Sequence, residues 1–256
     1  YVEPRRLSTI SSKVTGKITE VLVEEGMKVT KNQILARIDT TNIDASLRLA
    51  KAQLEVSRTA IKETEVRKRE ADLDLKRVAK LVKEGISTQA ELDSATAAFD
   101  AQVALLARQK EEIKVSQRQI EVWEQELEDR VVRAPFDGVV VSKNAQPGEM
   151  ISPMSSGGFT RTGICTIVDM SSLEIEVDVN EAYINRVQPG MPVEAKLDAY
   201  QDWKIPCKVI AIIPTADRSK ATVKVRIGFN ELDPRMLPDM GAKVAFQSVP
   251  NEAEPT

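Results

Sequence analysis

Two segments far apart in the chain carry the same punctuation, and the stretch between them does not. Gly16-Lys17-Ile18 runs to Gly26-Met27-Lys28-Val29, and Gly138-Val139-Val140 runs to Gly148-Glu149-Met150-Ile151. In both, the glycines are ten residues apart, an apolar residue follows the first by two, and a β-branched residue follows the second by three. Such a repeat predicts two copies of one β-unit that pack on each other. The chain between them is polar, nearly free of glycine and helical in pattern. The sequence therefore predicts an α+β protein in which a small β-domain is split open and a long helical insert projects from it.

The insert has no glycine or proline from Asn42 to Val82. Leu47, Ala50, Leu54, Ser57, Ile61, Thr64, Lys68, Ala71, Leu75, Val78 and Val82 alternate three and four apart, which is a heptad seam. The second arm repeats the spacing through Leu92, Ala95, Phe99, Gln102, Leu106, Gln109, Ile113, Ser116, Ile120, Trp123 and Leu127. Both seams are apolar at the ends and polar in the middle, at Ser57, Thr64 and Lys68 on one arm and Gln102, Gln109 and Ser116 on the other. Antiparallel pairing sets Leu47 near Leu127 and Val82 near Leu92. Gly85 breaks the pattern as a helix C-terminal glycine does. Thr88-Gln89-Ala90-Glu91 reads as a capping box, with Thr88 as N-cap and Glu91 reaching back. So short a connector makes the helices antiparallel neighbours. About 40 residues per arm at ~1.5 Å each give a rod of roughly 60 Å. Such a hairpin serves either as a spacer or as a rod whose copies pack side by side and whose tip docks on another protein.

Composition narrows the function classes. The 256 residues carry 36 basic and 39 acidic side chains, net charge −3, with no sustained basic run, which argues against nucleic acid as the main partner. No stretch approaches the ~18 consecutive apolar residues of a membrane span. The chain begins at Tyr1, so a leader or anchor removed before it is compatible with the sequence. There is no histidine, which removes the commonest metal ligand and general base. Cys165 and Cys207 are isolated; two small buried residues and a disulfide in an oxidising compartment are the two readings open. Aromatic residues are 4%, too few for base-stacking platforms. No catalytic residue, cofactor or metal site is expected.

Val14 to Asp39 alternates short strands with turns, and Val131 to Ile151 repeats it with turns at Pro135-Phe136-Asp137-Gly138 and Pro147-Gly148. This half continues to about Val168. The loop Ser152 to Gly163, with Gly157-Gly158 inside it, reads as flexible, either a contact loop in an assembly or a plain surface loop.

Val14-Thr-Gly-Lys-Ile-Thr-Glu-Val-Leu-Val-Glu-Glu-Gly-Met-Lys-Val and Arg133-Ala-Pro-Phe-Asp-Gly-Val-Val resemble the two half-motifs of a lipoyl/biotinyl-like domain. In true carriers the halves meet at a tight turn bearing the modified lysine, and here a helical hairpin replaces that turn. The arrangement resembles the periplasmic adaptors, or membrane fusion proteins, of tripartite efflux pumps, over residues 10 to 168. Adaptors that engage TolC-type channels tend to carry Arg, three residues, Leu, six residues, Ser. Arg77, Leu81 and Thr88 stand at that spacing, with Thr keeping the hydroxyl and the capping role. An exposed Leu81 beside the Arg77 guanidinium is then the expected anchor pair for a groove between channel helices; the other reading is that Leu81 covers the end of the seam and Arg77 is solvated.

Leu173-Glu-Ile-Glu-Val-Asp-Val alternates apolar and acidic residues, a half-buried strand. Asn180 to Val187 reads as a short helix capped by Asn180. Further strands are expected near 193–197, 204–213, 221–229 and 242–247, with Pro206, Pro214, Pro234 and Pro238 at edges and turns. This predicts a small closed barrel, and the segment, including Pro214-Thr-Ala-Asp-Arg-Ser-Lys-Ala-Thr-Val-Lys-Val-Arg, resembles the β-barrel domain of the same adaptors. Asp217 and Arg218 read as a solvated hairpin tip rather than a catalytic pair. The expected organisation is a lead-in at 1–9, a possible remnant of a membrane-proximal domain; a split lipoyl-like β-sandwich at 10–40 and 130–168; an antiparallel two-helix coiled-coil hairpin at 41–129; a β-barrel at 169–249; and a polar tail at 250–256.

The resemblance implies a non-enzymatic periplasmic adaptor, anchored to the inner membrane by a segment outside this chain. It would form a ring, a hexamer by resemblance, between an inner-membrane transporter and a TolC-like outer-membrane channel. Hairpin length favours the adaptors of MacB-like ABC transporters, with an RND transporter as the alternative. Three other functions stay open. One is a coiled-coil scaffold without transport. Another is a lipoyl or biotinyl carrier, which lacks its lysine-bearing turn here. The last is heavy-metal efflux, for which seven scattered methionines form no ligand cluster.

Overall fold

The computed structural model of the protein describes residues 1–153, 163–217 and 221–247, with the backbone alone at 215–217. The chain opens with strands β1 (Val2–Pro4), β2 (Leu7–Ile10), β3 (Gly16–Val21), β4 (Lys28–Val29) and β5 (Ile34–Ile38). Helices α1 (Thr41–Lys83) and α2 (Gln89–Glu128) follow. Strands β6 (Val131–Arg133), β7 (Gly138–Lys143), β8 (Met150–Ile151), β9 (Cys165–Val168) and β10 (Leu173–Asn180) come next, then the short helix α3 (Glu181–Ile184). The last strands are β11 (Pro192–Leu197), β12 (Tyr200–Asp217), β13 (Thr222–Phe229) and β14 (Ala242–Phe246). Two compact units result, Tyr1–Arg37 with Val132–Thr256, and Ile38–Val131.

In the first unit, two four-stranded sheets, β2-β9-β7-β4 and β6-β5-β3-β8, each draw strands from both sides of the helical insert. The glycine repeats are what interlock them. Gly26 donates its amide to Val140 at 2.8 Å, and Gly148 donates to Ile18 at 2.8 Å. Val140 donates back to Met27 at 3.0 Å, and Ile18 to Glu149 at 2.9 Å. The turn of each half thus caps the strand of the other, at matching positions of the repeat. Gly26 and Gly148 sit at φ +81° and +95°, a region that costs an L side chain strain. Gly138 has another reason: a Cβ there would lie 2.4 Å from the Val168 carbonyl oxygen, on the strand that β7 pairs with. Gly16 opens β3 and pairs with Ile151. Ile18, Leu35, Val140, Ile151 and Ile167 are buried almost completely between the sheets.

A six-stranded sheet, in the order β1-β10-β13-β12-β11-β14, completes this unit. It curls back on itself: Val2 on one edge strand donates to Met240 at 2.9 Å and accepts from Asp239 at 2.8 Å, just before the other edge strand. Val2, Ile175, Leu197, Ile205, Ile227 and Met236 fill its interior. The alternation read in 173–179 places Leu173 and Ile175 inside, while Glu174 pairs with Arg226 and Glu176 with Lys224 outside.

The first ten residues supply two strands: β1 pairs with β10 and β2 with β9. Two expectations, the extent of the helix after Asn180 and the place of two prolines, are corrected here. The helix expected over 180–187 is Glu181–Ile184, with Asn180 accepting from the Ala182 amide at 2.9 Å. Pro206 and Pro214 lie inside β12 rather than at its edges. Pro206 accepts from Asn230, just past the end of β13, so the N–H it lacks would have faced Asn230 and not a residue of β13. Pro214 falls in the register shift between Ile212 and Ala216, the irregularity in which proline is tolerated. The loop with Gly157-Gly158, the Arg218 position and the tail 250–256 lie outside the described residues.

The second unit is the hairpin. At its base Ile38 donates to Arg130 at 2.9 Å, and the Arg130 guanidinium donates to the Asp39 carbonyl at 2.7 Å. Leu47, Leu54 and Ile120 form its buried apolar cluster, flanked by Ala50, Ile113, Trp123 and Leu127. Lys51 meets Glu124 at 3.0 Å. Further along, the seam turns polar. Thr64 is buried and donates to its own helix at Ala60, 3.1 Å away, and Ser57 and Ser116 do likewise to Gln53 and Glu112. This is the usual way a helix absorbs a hydroxyl in its interior. The Lys68 ammonium lies 5.8 Å from the Phe99 ring centroid. The side-chain oxygens of Gln102 and Gln109 are buried without a hydrogen-bond partner among the described residues.

Candidate functional site

The turn between α1 and α2 is built to hold one shape. Gly85 sits at φ +73° and donates to Val82 at 3.0 Å, while Ile86 donates to Leu81 at 2.9 Å. That pair of bonds closes the end of α1 in a Schellman arrangement, which needs a residue free to adopt positive φ. The start of α2 is closed by reciprocal bonds. The Glu91 amide donates to the Thr88 hydroxyl at 3.3 Å, and the Thr88 amide donates to the Glu91 carboxylate at 2.9 Å. The Ser87 hydroxyl donates to the same carboxylate. The bond from Ser87, then those from Thr88, hold the Glu91 carboxyl below the ordinary carboxylate range. Gly85, Thr88 and Glu91 therefore act together on the turn.

Of the expected anchor pair, Arg77 is exposed and ion-paired with Asp74, one turn earlier on the same helix. Leu81, expected to be exposed, is half-buried. A residue four positions past Arg77, inside the last turn of a helix that pairs with α2, shares part of the seam. The apolar side chain that the turn does present is Ile86, 70% exposed. Sequence reasoning passed over it. The signal was there: Ile86 follows the helix-ending glycine and is the lone large apolar residue between Gly85 and Thr88. The tip thus offers an isoleucine on a backbone fixed at both ends, with Arg77, Lys80 and Thr88 exposed nearby in sequence.

Nothing comparable forms a reactive centre among the described residues. No group of three or more His, Cys, Asp or Glu is placed to hold a metal ion. Cys165 and Cys207 are free and buried, and burial pushes both thiols up to about 11. They are packing groups at neutral pH. No described helix is long and apolar enough to cross a membrane.

A helical hairpin inserted between the halves of a lipoyl-like sandwich, followed by a curled six-stranded sheet, defines an adaptor architecture. Residues 6–157 match the family model of the CzcB-like barrel-sandwich hybrid domain, and residues 173–250 match that of the CusB-like β-barrel domain. The chain belongs to the membrane fusion proteins, the periplasmic adaptors of tripartite efflux pumps. It is similar to the multidrug resistance protein MdtA of Escherichia coli, with 26% identity over 237 residues, 90% of this chain and 52% of that protein. It is 27% identical over 191 residues to the pyoverdine export membrane fusion protein PvdR of Pseudomonas aeruginosa, covering 75% of this chain and 48% of that protein. The chain spans about half the length of these curated relatives. The crystal structure of MacA from Actinobacillus actinomycetemcomitans shares the fold, with a TM-score of 0.83 at 21% identity, over 96% of this chain and 75% of that one.

Proposed function

We propose that this chain is the periplasmic body of a non-enzymatic adaptor. It assembles as a ring, a hexamer, and joins an inner-membrane transporter to a TolC-like outer-membrane channel. An anchor outside this chain holds it to the inner membrane. The transporter supplies the energy; the adaptor supplies length and sealing. Relatives named for multidrug resistance and for pyoverdine export support an export role. Hairpin length favours an ABC transporter, and an RND transporter is the alternative.

The observation that carries the docking end is the doubly capped turn that holds Ile86 out to solvent. A rigid apolar anchor with an arginine and a hydroxyl close by in sequence is what a groove between channel helices recognises at low entropic cost. The division of labour follows from it: Ile86 and Arg77 touch the channel, while Gly85, Thr88 and Glu91 fix the backbone that presents them. Leu81 supports the turn from its half-buried position.

The test is capture of complexes from mildly solubilised membranes of the native host, with the full-length protein and its Ile86→Asp variant. Both a channel and a transporter should come with the native protein, and the channel alone should be lost with the variant. Recovery of neither partner by folded native protein would move the coiled-coil scaffold reading ahead.

A further inference from the structure

Strand β12 carries an extra residue, and a glycine on β13 makes room for it. Val209 pairs with Ile227 and Ala211 with Arg226, which leaves Ile210 without a partner across the ladder. A bulge of this kind re-aims a side chain. Val209 is buried, whereas Ile210 is 41% exposed. Gly228 pairs with Glu174, so a Cβ on Gly228 would point to the outer face where Glu174 meets Arg226 and Glu176 meets Lys224. That Cβ would lie 2.7 Å from Cδ1 of Ile210. The isoleucine therefore rests across the glycine and sets an apolar floor in a charged face. Glycine inside a strand is found where another group must approach the backbone this closely.

Ile210 belongs to a groove of about 550 Å³, whose lining includes Arg5, Asp169, Leu173, Phe229 and Leu232. Leu232 is 44% exposed and Phe229 half-buried. The charges of the lining do not cancel in place. Asp169 accepts from the Ser171 amide at 2.9 Å and the Ser171 hydroxyl at 2.6 Å, and it pairs with Arg6 at 3.4 Å. Arg6 also lies 5.6 Å from the Phe136 ring centroid. Glu174 is taken by Arg226. Arg5 is exposed, and its guanidinium makes no hydrogen bond or ion pair among the described residues. Its backbone is nevertheless anchored, because its amide donates to the Ser172 carbonyl at 2.8 Å. One uncommitted cation on a fixed backbone thus borders an apolar floor.

We propose that this groove binds a small amphipathic acid, with its carboxylate on Arg5 and its apolar body over Ile210, Phe229 and Leu232. The volume lies within the roughly 300–1,000 Å³ of pockets that hold single small molecules. A guanidinium takes a carboxylate through two parallel hydrogen bonds, which fixes the orientation of the acid. A neutral apolar compound leaves Arg5 unused, and a wholly polar anion leaves the aliphatic floor wet. Only a molecule with both parts satisfies both sides of the groove. The site lies within one chain, away from the hairpin tip, and stands or falls independently of ring assembly and of channel docking.

Titration of the chain with 8-anilinonaphthalene-1-sulfonate, a fluorescent anion with an apolar body, tests it. Binding should saturate. Octanoate should displace the probe, and 1-octanol, of equal length but uncharged, should not at the same concentration. Arg5→Glu and Ile210→Ser should each weaken binding about tenfold or more, and Arg5→Lys, which keeps the charge, should weaken it less. Both residues are exposed, so these variants should melt with the native protein. Leu73→Ser, on the exposed face of the hairpin, should bind as the native protein does. Absence of saturable binding, equal displacement by octanol, or native affinity in Arg5→Glu overturns the site. A free acid and the head of an anionic lipid share this chemistry. Displacement by monomeric lysophosphatidylglycerol but not by octanoate overturns the free acid and makes the groove a seat for lipid headgroups.

Discussion

Gly26 donates its amide to the carbonyl of Val140 across the two halves of the split domain, at 2.8 Å. Gly148 makes the matching bond to Ile18 in the other direction, also at 2.8 Å. Neither half can complete its turn alone. The domain therefore tolerates a long insert between its halves, because each half is held by the other and not by the chain that connects them.

Substitution of these glycines should cost equally. A Cβ at Gly26 or Gly148 meets nothing within 4 Å, so the whole penalty is backbone strain at positive φ. Gly26→Ala and Gly148→Ala should each destabilise the protein by about 1–2 kcal/mol, measured by chemical denaturation. Gly138→Ala differs in kind, because its Cβ collides with the Val168 carbonyl. It should cost more than either, and should loosen amide protection in the β7–β9 pair. Equal costs at all three positions would contradict this division.

The glycine repeat and the heptad seam could be read without a structure because each is a local periodicity imposed by one element geometry. What stayed hidden depended on distant partners. The strand Val2–Pro4 is three residues long and ends in proline, and its pairing with Leu173 to Ile175 and its bonds to Asp239 and Met240 make it a strand. Pro206 is compatible with the interior of β12 because β13 ends beside it, a fact of register and not of composition. At the tip, periodicity assigned Leu81 to a helix but did not show how far the last turn of α1 is covered. The exposed residue proved to be Ile86, set by the cap.

The polar centre of the hairpin seam makes a second prediction. Gln102 and Gln109 bury a carbonyl oxygen without a partner among the described residues, and such a group forfeits its bond to water. Gln102→Leu and Gln109→Leu should each stabilise the hairpin, by about 1 kcal/mol. Leu54→Ala, in the apolar cluster, should cost about 2–5 kcal/mol. Thermal unfolding followed by helical circular dichroism reads both signs. A loss of stability in the leucine variants would mean that the glutamines find partners in the assembled protein.

The tip cap should titrate. Hydrogen bonds from Ser87 and Thr88 lower the folded pKa of Glu91 beneath its ordinary 4.5. A depressed carboxyl contributes stability that is fully present above the unfolded pKa and is lost as pH falls through the folded one. The first turn of α2 should therefore begin to fray below about pH 4.5, seen as faster amide exchange at Glu91 and Leu92. Thr88→Ala, which removes the N-cap hydroxyl, should destabilise that helix end by about 1 kcal/mol at neutral pH. Exchange that is flat across this window would show that the cap does not depend on the charge of Glu91.

The last prediction separates folding from docking at the tip. Ile86 is 70% exposed, and exposed substitutions away from special backbone features leave stability within about 0.5 kcal/mol. Its backbone amide, not its side chain, closes α1 onto Leu81. Ile86→Ala should thus melt with the native protein while losing most of its outer-membrane channel in a membrane capture. Gly85→Ala does the reverse in part: it strains the turn at φ +73°, lowers hairpin stability by about 1–2 kcal/mol, and weakens capture through the backbone it distorts. Leu81→Asp buries a charge in the half-covered last turn, so its effect on capture should come with a lowered melting temperature. If Ile86→Ala captured the channel fully while Leu81→Asp lost it without any change in melting, the anchor would be Leu81 and the exposed isoleucine would be incidental.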